Sequence, residues 1–99
     1  MQANIKKENG TLFIAVSGRL DTVTSLELNE MLDKEGTAGL DIDFDFTDVE
    51  YISSAGLRLI LALQRQVMET NNKMVIRNIN KVVSEIFSVA GFNKTLTIV

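Results

Sequence analysis

The chain has 99 residues, 45% hydrophobic and 23% charged, which suits a single globular domain spanning residues 1–99 and not a disordered tail. It contains no cysteine and no histidine, which excludes disulfides, thiolate nucleophiles and most transition-metal sites and removes the commonest general base. The net charge of −3 argues against nucleic acid as a ligand; residues 21–50 hold ten acids against Lys34 alone, and residues 51–99 hold six bases against Glu69 and Glu85.

Ile5 to Glu8 reads as a short strand, turned by Asn9-Gly10 into a second strand, Thr11 to Ser17. Gly18-Arg19-Leu20-Asp21 leads out of that strand toward a helix. Thr24-Ser25-Leu26-Glu27 fits a capping box, with Val23 and Leu28 as its hydrophobic staple. This helix is expected to bury Leu28, Met31 and Leu32 and to stop at Gly36. Leu40 to Phe46 alternates cleanly, with Leu40, Ile42, Phe44 and Phe46 on one face and Asp41, Asp43 and Asp45 on the other, solvated one.

Ser53-Ser54 then opens a second helix whose inward positions are Leu57, Ile60, Leu61, the Gln64 stem, Val67 and Met68, and Asn71-Asn72 ends it. Met74 to Arg77 is a brief strand. Asn80 caps a third helix with Val83, Ile86, Phe87 and Ala90 inward, Gly91 follows it, and Thr95 to Val99 is a last strand. The order β-β-α-β-α-β-α-β predicts an α/β fold: a mixed central sheet with helices mainly on one face. The longest aliphatic run, Leu59 to Leu63, is far short of a membrane span, and residues 1–7 have no apolar signal core, so a cytoplasmic location is expected.

Two motifs in the acidic strand fail on their context. Asp41, Asp43 and Asp45 have the spacing of a calcium loop's first ligands, but Phe46 and Ile52 stand where glycine and glutamate are needed. Asp43-Phe44-Asp45-Phe46-Thr47 spells the Asp-x-Asp-x-Thr of a phosphotransferase, yet Asp43 lies mid-strand on the polar face with too little chain after it. A serine nucleophile at Ser53 or Ser54 has no histidine to activate it and no lysine nearby in sequence. No enzymatic activity, metal or cofactor is expected.

The stretch that stands out runs from Asp45 to Arg58. Two hydroxyls sit at a strand-to-helix junction, and Gly56 sits in the first helical turn, where glycine costs about 1 kcal/mol relative to alanine. Something must therefore approach the backbone there. A helix N-terminus also tolerates added negative charge, so a phosphoryl group would change the surface by about −1.5 to −2 charges without disturbing the fold. The plain alternative is that Ser53 or Ser54 is only a helix cap, contributing about 1 kcal/mol.

From Ile5 to its last residue the chain resembles the bacterial anti-sigma factor antagonists, founding members of the STAS domain family. The resemblance is carried by Gly18-Arg19-Leu20-Asp21, by Asp45 and the apolar residues after it, by Tyr51-Ile52-Ser53-Ser54-Ala55-Gly56-Leu57 and by Ile86-Phe87-Ser88-Val89-Ala90-Gly91-Phe92. It places Ser54 at the family's phosphorylated serine; Ser53 stands in place of the preceding aspartate, and Ala55 in place of the second hydroxyl residue. It implies a module that binds an anti-sigma factor serine kinase and frees a sigma factor for transcription. A serine phosphatase would reverse the kinase's modification of Ser54. Ser53 would be the competing acceptor, and Asp21, Ser53, Ser54, Gly56 and Arg58 the partner surface. The alternative within the family is a non-signalling STAS subunit of a lipid transporter or larger assembly, with Ser54 as a cap alone.

Overall fold

The computed structural model describes residues 1–99. Five strands, β1 (Gln2–Glu8), β2 (Thr11–Leu20), β3 (Asp41–Ile52), β4 (Met74–Arg77) and β5 (Thr97–Ile98), form one sheet in the order β1-β2-β3-β4-β5. The β1–β2 hairpin is antiparallel, turned by Asn9 (φ 50°) and Gly10 (φ 80°), and every later pair is parallel. The helices α1 (Thr22–Glu35), α2 (Ser54–Glu69) and α3 (Lys81–Val89) carry the three parallel connections. The expected mixed α/β architecture is present.

The core is a single layer between sheet and helices. Leu12, Ile14 and Val16 of β2, Ile42, Phe44 and Phe46 of β3 and Met74 and Ile76 of β4 are all buried on the helix-covered face. Phe44 and Phe46 meet edge to face with centroids 5.1 Å apart. On the opposite face the three aspartates are not simply solvated. Asp41 accepts from the Lys73 N–H and the Asn72 amide, Asp43 pairs with Arg77 at 2.9 Å, and Asp45 accepts from the Thr47 N–H and the Asn78 amide. Each carboxylate therefore ties β3 to its own continuation or to the segment around β4. No helix is long and apolar enough to cross a membrane.

Both central strands run past their expected ends. β2 continues through Gly18, whose φ of +85° suits glycine, and its register with β3 shifts between Ala15 and Ser17 and again between Gly18 and Arg19. On β3 the buried positions after Phe46 are Val49 and Ile52, three residues apart. The bulges absorb the odd residues, so loss of strict alternation does not end the strand. At the sheet edge β5 is shorter than expected, with Leu96 buried just before it.

The helix starts differ in an informative way. The N-cap of α1 is Asp21, not Thr24: the Asp21 carboxylate accepts the Thr24 N–H at 3.0 Å and the Thr24 hydroxyl accepts the Asp21 N–H at 2.9 Å. Two overlapping boxes share Thr24, and the upstream one forms. This start turns Ser25, Leu28 and Leu32 inward, leaves Met31 exposed and puts Val23 at 64% exposure, so no staple forms. The helix stops at Gly36 (φ 78°) as expected. Asn80 caps α3 as expected, accepting the Val83 N–H at 2.8 Å.

Candidate functional site

β2 and β3 lie side by side and finish at the same end of the sheet, with Leu20 paired to Ile52. One residue beyond Leu20 is the cap of α1, and one residue beyond Ile52 is Ser53, the N-cap position of α2. The Ser53 N–H donates to the Leu20 carbonyl at 2.8 Å, locking the two helix starts together. Parallel pairing thus brings Asp21, Ser53 and Ser54 to one end of the sheet.

The two serines are not equivalent. The Ser53 hydroxyl is buried, makes no capping bond and meets no hydrogen-bond partner within the protein. Ser54, the first helical residue, is exposed. The first turn of α2 carries no acidic residue and no side-chain cap, so its leading N–H groups keep their partial positive charge. An anionic group on Ser54 would be well placed against that charge.

Gly56 explains how α2 sits so low on the sheet. A Cβ there would lie 2.5 Å from Ile52 Cγ1 and 3.0 Å from the Leu20 carbonyl oxygen. The close approach implied by a glycine in the first turn is met inside the chain. Gly56 is buried and presents no surface of its own, so it positions the Ser53-Ser54 step instead of touching a partner.

Asp21 sits beside this step with its carboxylate held below the usual range, chiefly by the Thr24 backbone N–H and then by the Thr24 hydroxyl. Arg19, one strand position before Leu20, lies over the Tyr51 ring at 4.4 Å. Arg58 is exposed one turn along α2, borders a shallow groove against Ser25, Leu26 and Asn29 of α1, and takes no part in either ion pair of the structure.

On the other flank of α2 the structure adds a feature absent from the sequence reading. Tyr51, Leu57, Val82, Ile86 and Val89 line an apolar groove of about 510 Å³ between α2 and α3. Val89 is 91% exposed and Val82 50%, which is unusual for aliphatic side chains so close together. Their sequence signal is phase: 82 and 89 are seven apart on α3, off the Val83–Phe87 stripe that reaches the core. Ala90, expected inward, is exposed beside them.

The site is thus an exposed serine at a helix start without a side-chain cap, with Arg58 one turn along α2 and an apolar groove, lined in part by Leu57, on the other flank of that helix. The STAS domain family model matches residues 2–99, and the chain belongs to that family. BtrV of Bordetella bronchiseptica, provisionally named an anti-sigma factor antagonist, is 28% identical over 97 residues, covering 93% of this chain and 80% of BtrV. Among solved structures, the anti-sigma factor antagonist SpoIIAA in its unphosphorylated form superposes with a TM-score of 0.82 at 16% identity, covering 99% of this chain and 88% of that one. The phosphorylated form of SpoIIAA, a Bacillus cell fate determinant, gives 0.74 at 16% identity over 99% and 91% of the respective chains. At these identities the structural matches establish the fold.

Proposed function

We propose that the chain is a phosphorylation-switched anti-sigma factor antagonist. In its free form it binds an anti-sigma factor that is also a serine kinase, and the sigma factor held by that kinase is released to direct transcription. The kinase transfers the γ-phosphoryl group of ATP to Ser54 Oγ. The O–P bond forms as the bond to ADP breaks, and the hydroxyl proton passes to a base of the kinase. A serine phosphatase resets the switch by hydrolysis, returning Ser54 and inorganic phosphate. The chain itself supplies the acceptor and the docking surface and has no catalytic role.

The observation that carries this reading is the contrast between Ser54, exposed, and Ser53, whose hydroxyl is buried. Leu57, which lines the apolar groove, stands about one helical turn from Ser54, so docking there would bring a partner close to the acceptor. Asp21 supplies a neighbouring contact, since the cap uses only its Oδ1. The existence of SpoIIAA in phosphorylated and unphosphorylated forms of one fold supports a switch that acts on the surface.

The test is incubation with the host's purified anti-sigma factor kinases and ATP, followed by phosphosite mapping and binding measurements. Ser54 should be modified. Ser54→Ala should bind and resist release by ATP. Ser54→Asp should stay folded and bind more weakly by on the order of 2–5 kcal/mol, because its charge must be desolvated against the partner. Modification at Ser53 alone, or none at either serine with a partner bound, refutes the assignment.

A further inference from the structure

Ser54 and Arg58 stand one helical turn apart on α2, and both are exposed. Residues four apart on a helix have Cβ atoms about 5–6 Å apart, and the order with the anion nearer the N-terminus is the favourable one. The other three arginines are engaged or out of range. The Arg19 guanidinium lies on Tyr51, Arg77 pairs with Asp43, and Arg65 is eleven residues along the helix from Ser54, roughly 16 Å of rise. Arg58 has neither a carboxylate nor an aromatic ring to hold it. No acidic residue occupies the first turn of α2, so nothing there competes for the guanidinium.

We propose that Arg58 is the internal receptor of the Ser54 phosphate, which makes it a two-state residue of the switch. This rests on the reading of Ser54 as the modified serine. With Ser54 free, the Arg58 guanidinium faces outward and is available to an acidic group on the partner. With Ser54 phosphorylated, the guanidinium takes the phosphate in a charge-assisted, two-pronged contact and is withdrawn from the partner. Phosphorylation then acts twice. It adds a group that docking must desolvate, and it removes a cation that docking uses. The pairing also compensates the new charge within the free module.

The pairing is tested without any partner. Phosphoserine is installed at position 54 of the full chain by genetic encoding, and its second ionisation is followed by phosphorus NMR in the wild-type background, R58Q and R58K. The wild-type phosphate should ionise about 0.2–0.4 pH unit lower than in R58Q, the size expected for one i,i+4 cation acting on the one further charge of the dianion. R58K should recover part of that shift, and the difference should shrink at 1 M salt, where the Debye length is about 3 Å. Identical titrations in wild type and R58Q, or a difference that salt leaves unchanged, would overturn the proposal. Because the phosphate is encoded, a kinase that never modifies Ser54 defeats the proposed function and leaves this measurement standing. Conversely, a flat titration removes Arg58's role without touching the assignment of Ser54.

Discussion

Replacing Gly56 by alanine separates helix propensity from packing, because the two oppose each other at this position. In an open helix the change is worth about 1 kcal/mol in favour of alanine. Here the new methyl would sit 2.5 Å from Ile52 Cγ1, 3.1 Å from Ile52 Cδ1 and 3.0 Å from the Leu20 carbonyl oxygen. Neither neighbour yields easily. Ile52 is 1% exposed and β-branched, so its χ1 is stiff, and the Leu20 oxygen is fixed by the Ser53 N–H. Overpacking of this kind costs about 1–3 kcal/mol, and contacts this short belong to its upper half. The net expectation is a loss of about 1–2 kcal/mol, or a fall of roughly 5–15 °C in Tm for a domain of this size. Urea midpoints at unchanged slope measure it. A double-mutant cycle isolates the cause. Ile52→Ala alone should cost about 2–5 kcal/mol, but in its background Gly56→Ala should be neutral or stabilising, since most of the obstructing atoms are gone. A Gly56→Ala protein that melts above wild type, or a cycle with no coupling, would refute the argument.

Ser53→Ala should leave stability unchanged or raise it by up to about 1 kcal/mol, because the hydroxyl is buried with no partner and caps nothing; a loss of about 1 kcal/mol in chemical denaturation would mean that it caps α2 after all. Asp21→Asn should retain the cap near neutral pH and flatten the acid limb of the stability profile. The folded carboxyl is held below its ordinary value, so the unfolded chain binds more protons between the two pKa values. Its contribution is complete above the unfolded value near 4 and is lost as pH falls through the folded one. Asp41 and Asp45, lowered chiefly by the Lys73 N–H and by Thr47 respectively, keep part of that limb in the variant. Denaturant midpoints between pH 2 and 7 give the comparison, and an unchanged acid limb would contradict it.

The parts of the fold legible in the sequence are those fixed by neighbours a few residues away. The alternation from Ile42 to Phe46, the bounds of β4, the Asn9-Gly10 turn, the Gly36 stop and the Asn80 cap all depend on local backbone chemistry, and all appear in the structure. The misses share one cause. The extensions of β2 and β3 depend on bulges whose value comes from the partner strand, and an alternating pattern cannot register them. The choice between two capping boxes on α1 depends on which start lets Ser25, Leu28 and Leu32 meet the core. On α2 the buried line is Gly56, Ile60, Leu63 and Val67, with Met68 exposed, although the apolar pattern includes Met68 and passes over Gly56. A glycine carries no hydrophobic signal, yet its missing side chain rotates the whole helix onto the sheet.

The same glycine accounts for what the sequence could and could not reveal about the site. The placement of Ser53 and Ser54 after a strand marks the strand-to-helix junction in the sequence, but two adjacent hydroxyls leave open which one faces outward. That choice is made by packing. With no Cβ at 56, α2 settles against Ile52 and the Leu20 carbonyl, and the Ser53 N–H reaches that carbonyl. Held there, Ser53 turns its hydroxyl into the protein, and the next residue, 100° further round the helix, faces solvent. The exposed position is therefore set by a contact beneath the helix and not by either serine. Arg58 follows from the same rotation, since the turn that exposes residue 54 also exposes the residue four further on.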